Sequence, residues 1–390
     1  MRSNKKILTL FLIPLVLLSL LLITNLLVAT DFVGNYEGFY LFKDKRTGRY
    51  MFADHLFVGR EKELVYAVNL RNSSLRMVNR LFPHHREGVD HLHVEWNPKD
   101  GNGFVSSYFA NGTGLVTYLG RYLDDGEEVH GLFVGGGLPE TVEANISYNM
   151  NNSGMTYYNG SRWFHIWCSV NEGVVVHDTS EAITPSKWEF LGSRIEERSE
   201  KKVVLTSSHR IRVQGQPLRI DRRMSFTAGE PYFILQVDIT NTGNDTVGFS
   251  YLYGDEPWVG YYGTSLGDVG WTADGLVGYE SFVDTGKHNY FGMADLGNRL
   301  IGEKPVYTNL ANFIEWRPEL RPDTAYFTND LKRFPKAGDR LPLESTERFL
   351  GVLWEYFLKP SQTVTASLAV GMAGSNQATG LPQKPPVNWK

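Results

Sequence analysis

The 390-residue chain carries 39 Lys and Arg against 43 Asp and Glu, a net charge of -4, with 42% hydrophobic and 21% charged residues. This is a globular composition, long enough for one large core or two moderate ones, and it lacks the basic field that a nucleic-acid partner would need. Cys168 is the single cysteine, so no intramolecular disulfide forms and the fold rests on packing and hydrogen bonds.

Arg2, Lys5 and Lys6 precede an uncharged run from Ile7 to Thr30. As a helix this run would measure roughly 36 Å at 1.5 Å per residue, enough to cross a bilayer core. It is longer than the apolar part of a cleaved signal peptide, and Leu27-Val28-Ala29 is a poor cleavage site. The basic cluster before the run, with Asp31 and Glu37 after it, places the N-terminus in the cytoplasm and everything after Thr30 outside it. We therefore expect an uncleaved membrane anchor over residues 1–30, an extracytoplasmic domain over 31–374, and a loose, Pro-rich tail over 375–390.

Beyond the anchor, two-residue alternation and turn signals replace helical periodicity, which predicts an all-β fold, a large antiparallel sandwich. GFYLFKDKRTGRYMFAD predicts a hairpin turning at Lys45 to Gly48, and FVSSYFANGTGLVTYLGRYL one turning at Asn111-Gly112. SRWFHIWCSV and GVVVHD are expected to pair with each other. WEFLGSRIEERS, KKVVLTSSHRIRV and LRIDRRMSFTA carry charges at alternate positions, as a solvated sheet face would. The stretch from Glu230 to Gly263 predicts another hairpin, with Asn241 to Asp245 as its turn. FLGVLWEYFL also fits a helix, but its neighbour TVTASLAVGMA favours strand.

A long charged strand, then GEPYF entering an alternating strand that ends TNTGNDTV, and finally LKPSQTVTASLAVG, resembles the galactose mutarotase-like β-supersandwich superfamily. The resemblance covers the second half of the chain. It implies a sandwich with a concave face and a carbohydrate ligand. The His acid and Glu base of that superfamily's epimerases have no counterpart motif here, since His165 in FHIW and His209 in SSHRIR lack the family surroundings.

Three constellations could carry chemistry. His91, His93 and Glu95 in DHLHVEW fall at i, i+2 and i+4, on one face of a strand, and two imidazoles with a carboxylate can hold a divalent metal, with Asp90, His84, His85 or His130 able to complete the set; the alternative is an ordinary solvated strand. In YGDEPWVGYYGTSLGDVGW, Asp255 and Glu256 are candidate catalytic acids, and Trp258, Tyr261, Tyr262, Asp268 and Trp271 candidate saccharide contacts, because sugars are held by flat rings and carboxylates. The alternative is that the rings fill the sandwich edge while the acids cap turns. Glu315, Trp316 and Arg317 form the third: Arg317 could fork onto the carboxylate of a sugar acid, and the favoured alternative is a pairing with Glu319 or Asp323. Six Asn-x-Ser/Thr sequons stand at Asn72, Asn111, Asn145, Asn151, Asn159 and Asn244 and matter only in a secretory pathway. Two function classes follow: an anchored carbohydrate-binding sandwich, with or without catalysis, and a non-catalytic envelope scaffold; a metal-dependent enzyme at the His91 strand is a third.

Overall fold

The computed structural model describes residues 30–36, 39–44, 50–53, 55–58, 64–68, 82, 86, 88–120, 128–135, 154–160, 163–177, 182–257, 259–260, 268–295, 310–329, 348–376 and 378–389. The anchor run from Ile7 lies outside these, except for Thr30, which opens a strand. Among the described residues no helix is long and apolar enough to cross a membrane. Contacts divide the chain into two compact units, Met1–Arg80 with Glu140–Tyr148 and Leu81–Pro139 with Asn149–Lys390, a division that no composition shift announces.

In the smaller unit β1 (Thr30–Tyr36), β2 (Phe39–Asp44) and β3 (Tyr50–Ala53) form an antiparallel meander, and β4 (His55–Val58) pairs with β5 (Leu64–Val68). The expected hairpin from Gly38 to Asp54 is the β2–β3 pair.

The larger unit is built from three antiparallel sheets. One has the order β10-β9-β8-β7-β6: β6 is His91–Asn97, β7 Asn102–Tyr108, β8 Gly114–Leu119, β9 Met155–Tyr158 and β10 Trp163–Trp167. The second runs β12-β11-β17-β24-β23-β20. Its strands are β11 (Ser169–Val176), β12 (Ala182–Ile183), β17 (Val247–Glu256), β20 (Ser281–Val283), β23 (Thr324–Thr328) and β24 (Phe349–Leu358). The third and largest runs β13-β14-β15-β16-β25-β22-β21-β18-β19, with β26 on β25. It comprises β13 (Glu189–Arg198), β14 (Lys202–Val213), β15 (Gln216–Thr227), β16 (Tyr232–Asn241), β18 (Asp268–Thr272), β19 (Gly275–Val277), β21 (Tyr290–Asp295), β22 (Ala311–Trp316), β25 (Thr363–Ser375) and β26 (Pro382–Gln383). Alternate residues of all three sheets, among them Val94, Val105, Val174, Leu205, Ile220, Leu235, Phe249 and Leu368, meet in one apolar core, as sheets stacked face to face require.

Two expected pairings are corrected. β16 and β17 alternate as predicted, but they do not pair: β16 lies between β15 and β25, whereas β17 lies between β11 and β24 in the other sheet. The Asn241–Asp245 stretch is an arch between sheets, held by Asn241, whose Nδ2 donates to the carbonyls of Asp245 (2.8 Å) and Leu358 (2.9 Å). Both strands need a buried face, and crossing to the opposite layer gives each one while filling the space between. Likewise β10 pairs with β9 and β11 with β17, so FHIW and GVVV are not partners. FLGVLWEYFL is strand β24.

The tail is not loose. Gln383 and Pro382 pair with Gly374 and Ser375, and Val387 and Trp389 pack on a second apolar cluster of Tyr232, Trp271, Ala294, Ala311, Phe313, Ala369 and Ala373. By strand alternation this cluster lies on the face of the largest sheet opposite the main core. Prolines cannot extend a ladder, but rings and aliphatics can still bury themselves against one.

Candidate functional site

A cleft of about 380 Å³ opens where the five-stranded sheet meets the β15–β16 turn; Asp90, Phe109, Asn111, Thr113, Tyr157 and Met372 are among its walls. The β7–β8 hairpin shapes it. Gly112 takes φ +83°, a left-handed value that suits glycine, and Asn111 Oδ1 accepts from Thr113 N–H (3.1 Å) and Oγ1 (2.7 Å). The Asn-Gly signal thus gives the expected turn, and the side chain stiffens it. Asp90 Oδ1 accepts the Ala110 N–H at 2.7 Å, which ties the residue before β6 to the turn. On the far side Gly229 has φ +86°, and a Cβ there would stand 3.1 Å from Asp90 Oδ2. Glycine at this turn therefore leaves room for the carboxylate.

The polar groups of the cleft keep capacity for a ligand. Asp90 has Oδ2, Asn111 has its Nδ2 donors and Tyr157 has its hydroxyl, while Phe109, Pro231 and Met372 supply apolar wall. An acceptor, a donor and a hydroxyl around an apolar floor, within the roughly 300–1,000 Å³ of small-molecule sites, suits a neutral polyhydroxylated ring.

A second polar cluster lies inside the sandwich. Arg222 of β15 and Glu172 of β11 form an ion pair across the two layers, both side chains fully buried. Arg222 Nη2 donates to Leu132 O at 2.8 Å, its guanidinium lies 4.2 Å from the Phe133 ring centroid, and the Tyr251 hydroxyl donates to Glu172 Oε1 at 2.6 Å. Burial opposes the Arg222 charge, but Glu172 and the neighbouring tyrosines outweigh it and its pKa lies above the usual value. Burial, then Glu172, raises Tyr251; burial, then Asp255, raises Tyr253.

The segment expected to border a ligand is largely internal where it is described. Asp255 and Glu256 are both buried on β17; as strand neighbours they point to opposite faces, and Asp255 shares its face with Tyr251 and Tyr253. Asp268 is fully buried, its Oδ2 accepts the Val259 N–H at 3.0 Å, and burial, then Asp295, pushes its pKa well up. Trp271 is 2% exposed, with its Nε1 donating to Asn312 O at 2.9 Å. Trp258, Tyr261 and Tyr262 lie outside the described residues.

On β6, His93 Nε2 and Glu95 Oε1 are 3.3 Å apart, whereas His91 is buried against the Tyr108 ring at 5.3 Å. Among the described residues no group of three His, Cys, Asp or Glu is placed to hold a metal ion. Arg317 lies 3.4 Å from Glu319, as expected, and Trp316 is core. His165 and His209 are buried, and burial lowers their pKa values to about 3 and about 4, so both imidazoles are neutral near pH 7.

Sequence reasoning named Asp90 only as a metal partner and Asn111 only as a turn residue and sequon. It missed the Glu172–Arg222 pair, though a signal exists. In LRIDRRMSF, Arg222 stands in phase with Leu218, Ile220, Met224 and Phe226, all of which are buried. A charge on the buried phase of a strand needs a partner inside.

No family model and no curated protein matches the chain. Among solved structures it is similar to a galactose mutarotase-like protein from Clostridium acetobutylicum, with 8% identity, 73% of this chain and 99% of that chain covered, and a TM-score of 0.35. It is similar also to a 4-α-glucanotransferase from Thermococcus litoralis, with 9% identity, 76% and 41% covered, and a TM-score of 0.35. A third is the galactosidase domain of an α-galactosidase-sucrose kinase, with 8% identity, 72% and 42% covered, and a TM-score of 0.36.

Proposed function

We propose that this protein is a saccharide-binding β-sandwich, tethered to a membrane by residues 1–30 with its remainder outside the cytoplasm, and that the sugar is held in the Asp90 cleft. The observation that carries this reading is the unspent hydrogen-bonding capacity of Asp90 Oδ2, Asn111 Nδ2 and the Tyr157 hydroxyl around an apolar floor. Pyranoses present that combination in reverse: hydroxyls that both donate and accept, and a flat C–H face. The site binds, and the interior acids Asp255, Asp268 and Glu172 support the fold. Trp258, Tyr261 and Tyr262, which lie outside the described residues, remain proposed saccharide contacts on residue type alone. A glycan array probed with the full-length protein tests the reading, with Asp90→Asn and Trp258→Ala as comparators. Hits that Asp90→Asn abolishes support the cleft; hits that only Trp258→Ala abolishes move the site to the aromatic segment; no hits leave the scaffold reading. Protease added to intact spheroplasts should digest the large domain, and full protection would remove the topological part.

A further inference from the structure

The face of the largest sheet away from the main core carries a cluster of charged and aromatic side chains none of which lines the cleft. Tyr290 on β21 and Glu315 on β22 are cross-strand partners, and Phe313 shares their face two residues before Glu315. The strand beside them contributes little volume, because Gly371 and Ala369 of β25 stand opposite Phe313 and Glu315. Two rings, a carboxylate and a shallow floor make a trough. Lys384 of the tail fills it. Its Nζ is ion-paired with Glu315 Oε2, with the two side chains 13% and 7% exposed, and lies 5.1 Å from the Tyr290 ring centroid and 5.6 Å from that of Phe313. Asn289 Nδ2 holds the other Glu315 oxygen at 3.2 Å. A carboxylate flanked by aromatic faces is the arrangement that recognises a desolvated ammonium.

The segment that delivers Lys384 is held by separable contacts. Two residue pairs join β26 to β25, Tyr232 accepts the Asn388 N–H at 2.9 Å and donates to Pro386 O at 3.4 Å, and Val387 and Trp389 rest on the cluster around Trp271. A ladder of only two residue pairs opens at low free energy. A tethered group also has an effective concentration in the millimolar range, so a free competitor meets the trough mainly when the tail has left.

We infer that the Tyr290–Phe313–Glu315 trough is a binding site for the primary ammonium group of a free ligand, and that the tail keeps it filled with Lys384 as a built-in competitor. This inference does not rest on the saccharide reading, since none of these residues lines the Asp90 cleft.

The test uses the full-length protein with Lys384→Ala, in which n-butylammonium supplies the alkylammonium that was removed, with one carbon more. Millimolar n-butylammonium should raise the melting temperature of Lys384→Ala by several degrees. The same concentration of n-butanol should not, and neither the intact protein nor a Lys384→Ala/Glu315→Gln double variant should respond. Glucosamine should bind Lys384→Ala at least tenfold more tightly than it binds the intact chain, and glucose should show no such gain. Trp389→Ala keeps the lysine but loosens its anchor, and it should show an intermediate response to n-butylammonium. Equal responses to the amine and the alcohol, or equal responses of intact and Lys384→Ala proteins, would overturn the site; a Trp389→Ala variant that behaves as the intact chain would overturn the role of the tail.

Discussion

The Glu172 cluster and the Asp90 cleft contain similar parts in opposite surroundings. Each sets a carboxylate near a tyrosine, Glu172 with Tyr251 in one and Asp90 with Tyr157 in the other. Glu172 is enclosed, so its charge is met by Arg222 from the facing sheet, and the pair locks two layers together. Asp90 sits at a rim, where one oxygen is fixed by the Ala110 amide and the other faces an open cleft. Burial makes a paired carboxylate a structural joint, and access is what the recognition role proposed for Asp90 requires.

Breaking the interior pair should have the largest effect. Glu172→Gln leaves Arg222 charged and without its counter-ion inside the sandwich, and we expect a loss of about 3–5 kcal/mol in urea unfolding of the full-length protein. Replacing both, with Glu172→Leu and Arg222→Met, should restore most of that loss, because no charge remains buried. A double variant as unstable as the single one would show that the pair does more than neutralise itself.

Trp271→Ala ranks with it. The indole is enclosed among Tyr232, Phe313 and Ala294, so its truncation should cost about 3–5 kcal/mol, whereas a ring waiting for sugar would be removed at little cost. A melting temperature within about a degree of the parent would place Trp271 at a surface and contradict the packing described above.

Acid should weaken the fold through its buried histidines. The unfolded chain takes up a proton on each histidine near pH 6.5, but His165 and His209 in the folded chain resist protonation until about pH 3 and about pH 4. Between those limits the unfolded state binds more protons, so stability is present above pH 6.5 and is lost as the pH falls toward 4. The slope is of order 1.4 kcal/mol per pH unit for each such group. A His209→Gln variant should show a shallower fall of melting temperature over this range, and an identical fall would assign the acid limb to other groups.

Much of this architecture is legible in the sequence, and the limits are physical. Alternation marks β6, β14, β15 and β16 because each has one face against the core and one away from it, and Asn111-Gly112 sets the β7–β8 hairpin through its own turn geometry; β24 is buried on both faces from Leu350 to Trp354, so its run also fits a helix and only its neighbour TVTASLAVGMA favours strand. Alternation reports a strand's faces and not its neighbours, which is why β16 and β17 were expected to pair although Asn241 steers the chain into the other layer. The same limit hid the cleft, whose walls come from residues 90, 109–113, 157, 229–231 and 372 and meet only after three sheets are assembled. The tail was misjudged for a related reason. Its prolines forecast a lack of ladder bonds, but nothing local to residues 382–389 reveals the apolar cluster that receives Val387 and Trp389.

The smallest effect on stability should come from the cleft, where the proposed role of the carboxylate is to meet a ligand and not to hold the fold. Asp90→Asn keeps the oxygen that the Ala110 amide needs, so it should alter stability by no more than about 0.5 kcal/mol, as surface substitutions do. A hydrogen bond to a charged group contributes about 1.5–3 kcal/mol, so the same change should weaken saccharide binding by about tenfold or more. The most direct measurement is isothermal titration of the best array glycan into full-length parent and Asp90→Asn proteins, with their melting temperatures recorded in parallel. We expect affinity to fall at least tenfold while melting is unchanged. Unchanged affinity in a folded Asp90→Asn protein would contradict the assignment of the cleft as the saccharide site.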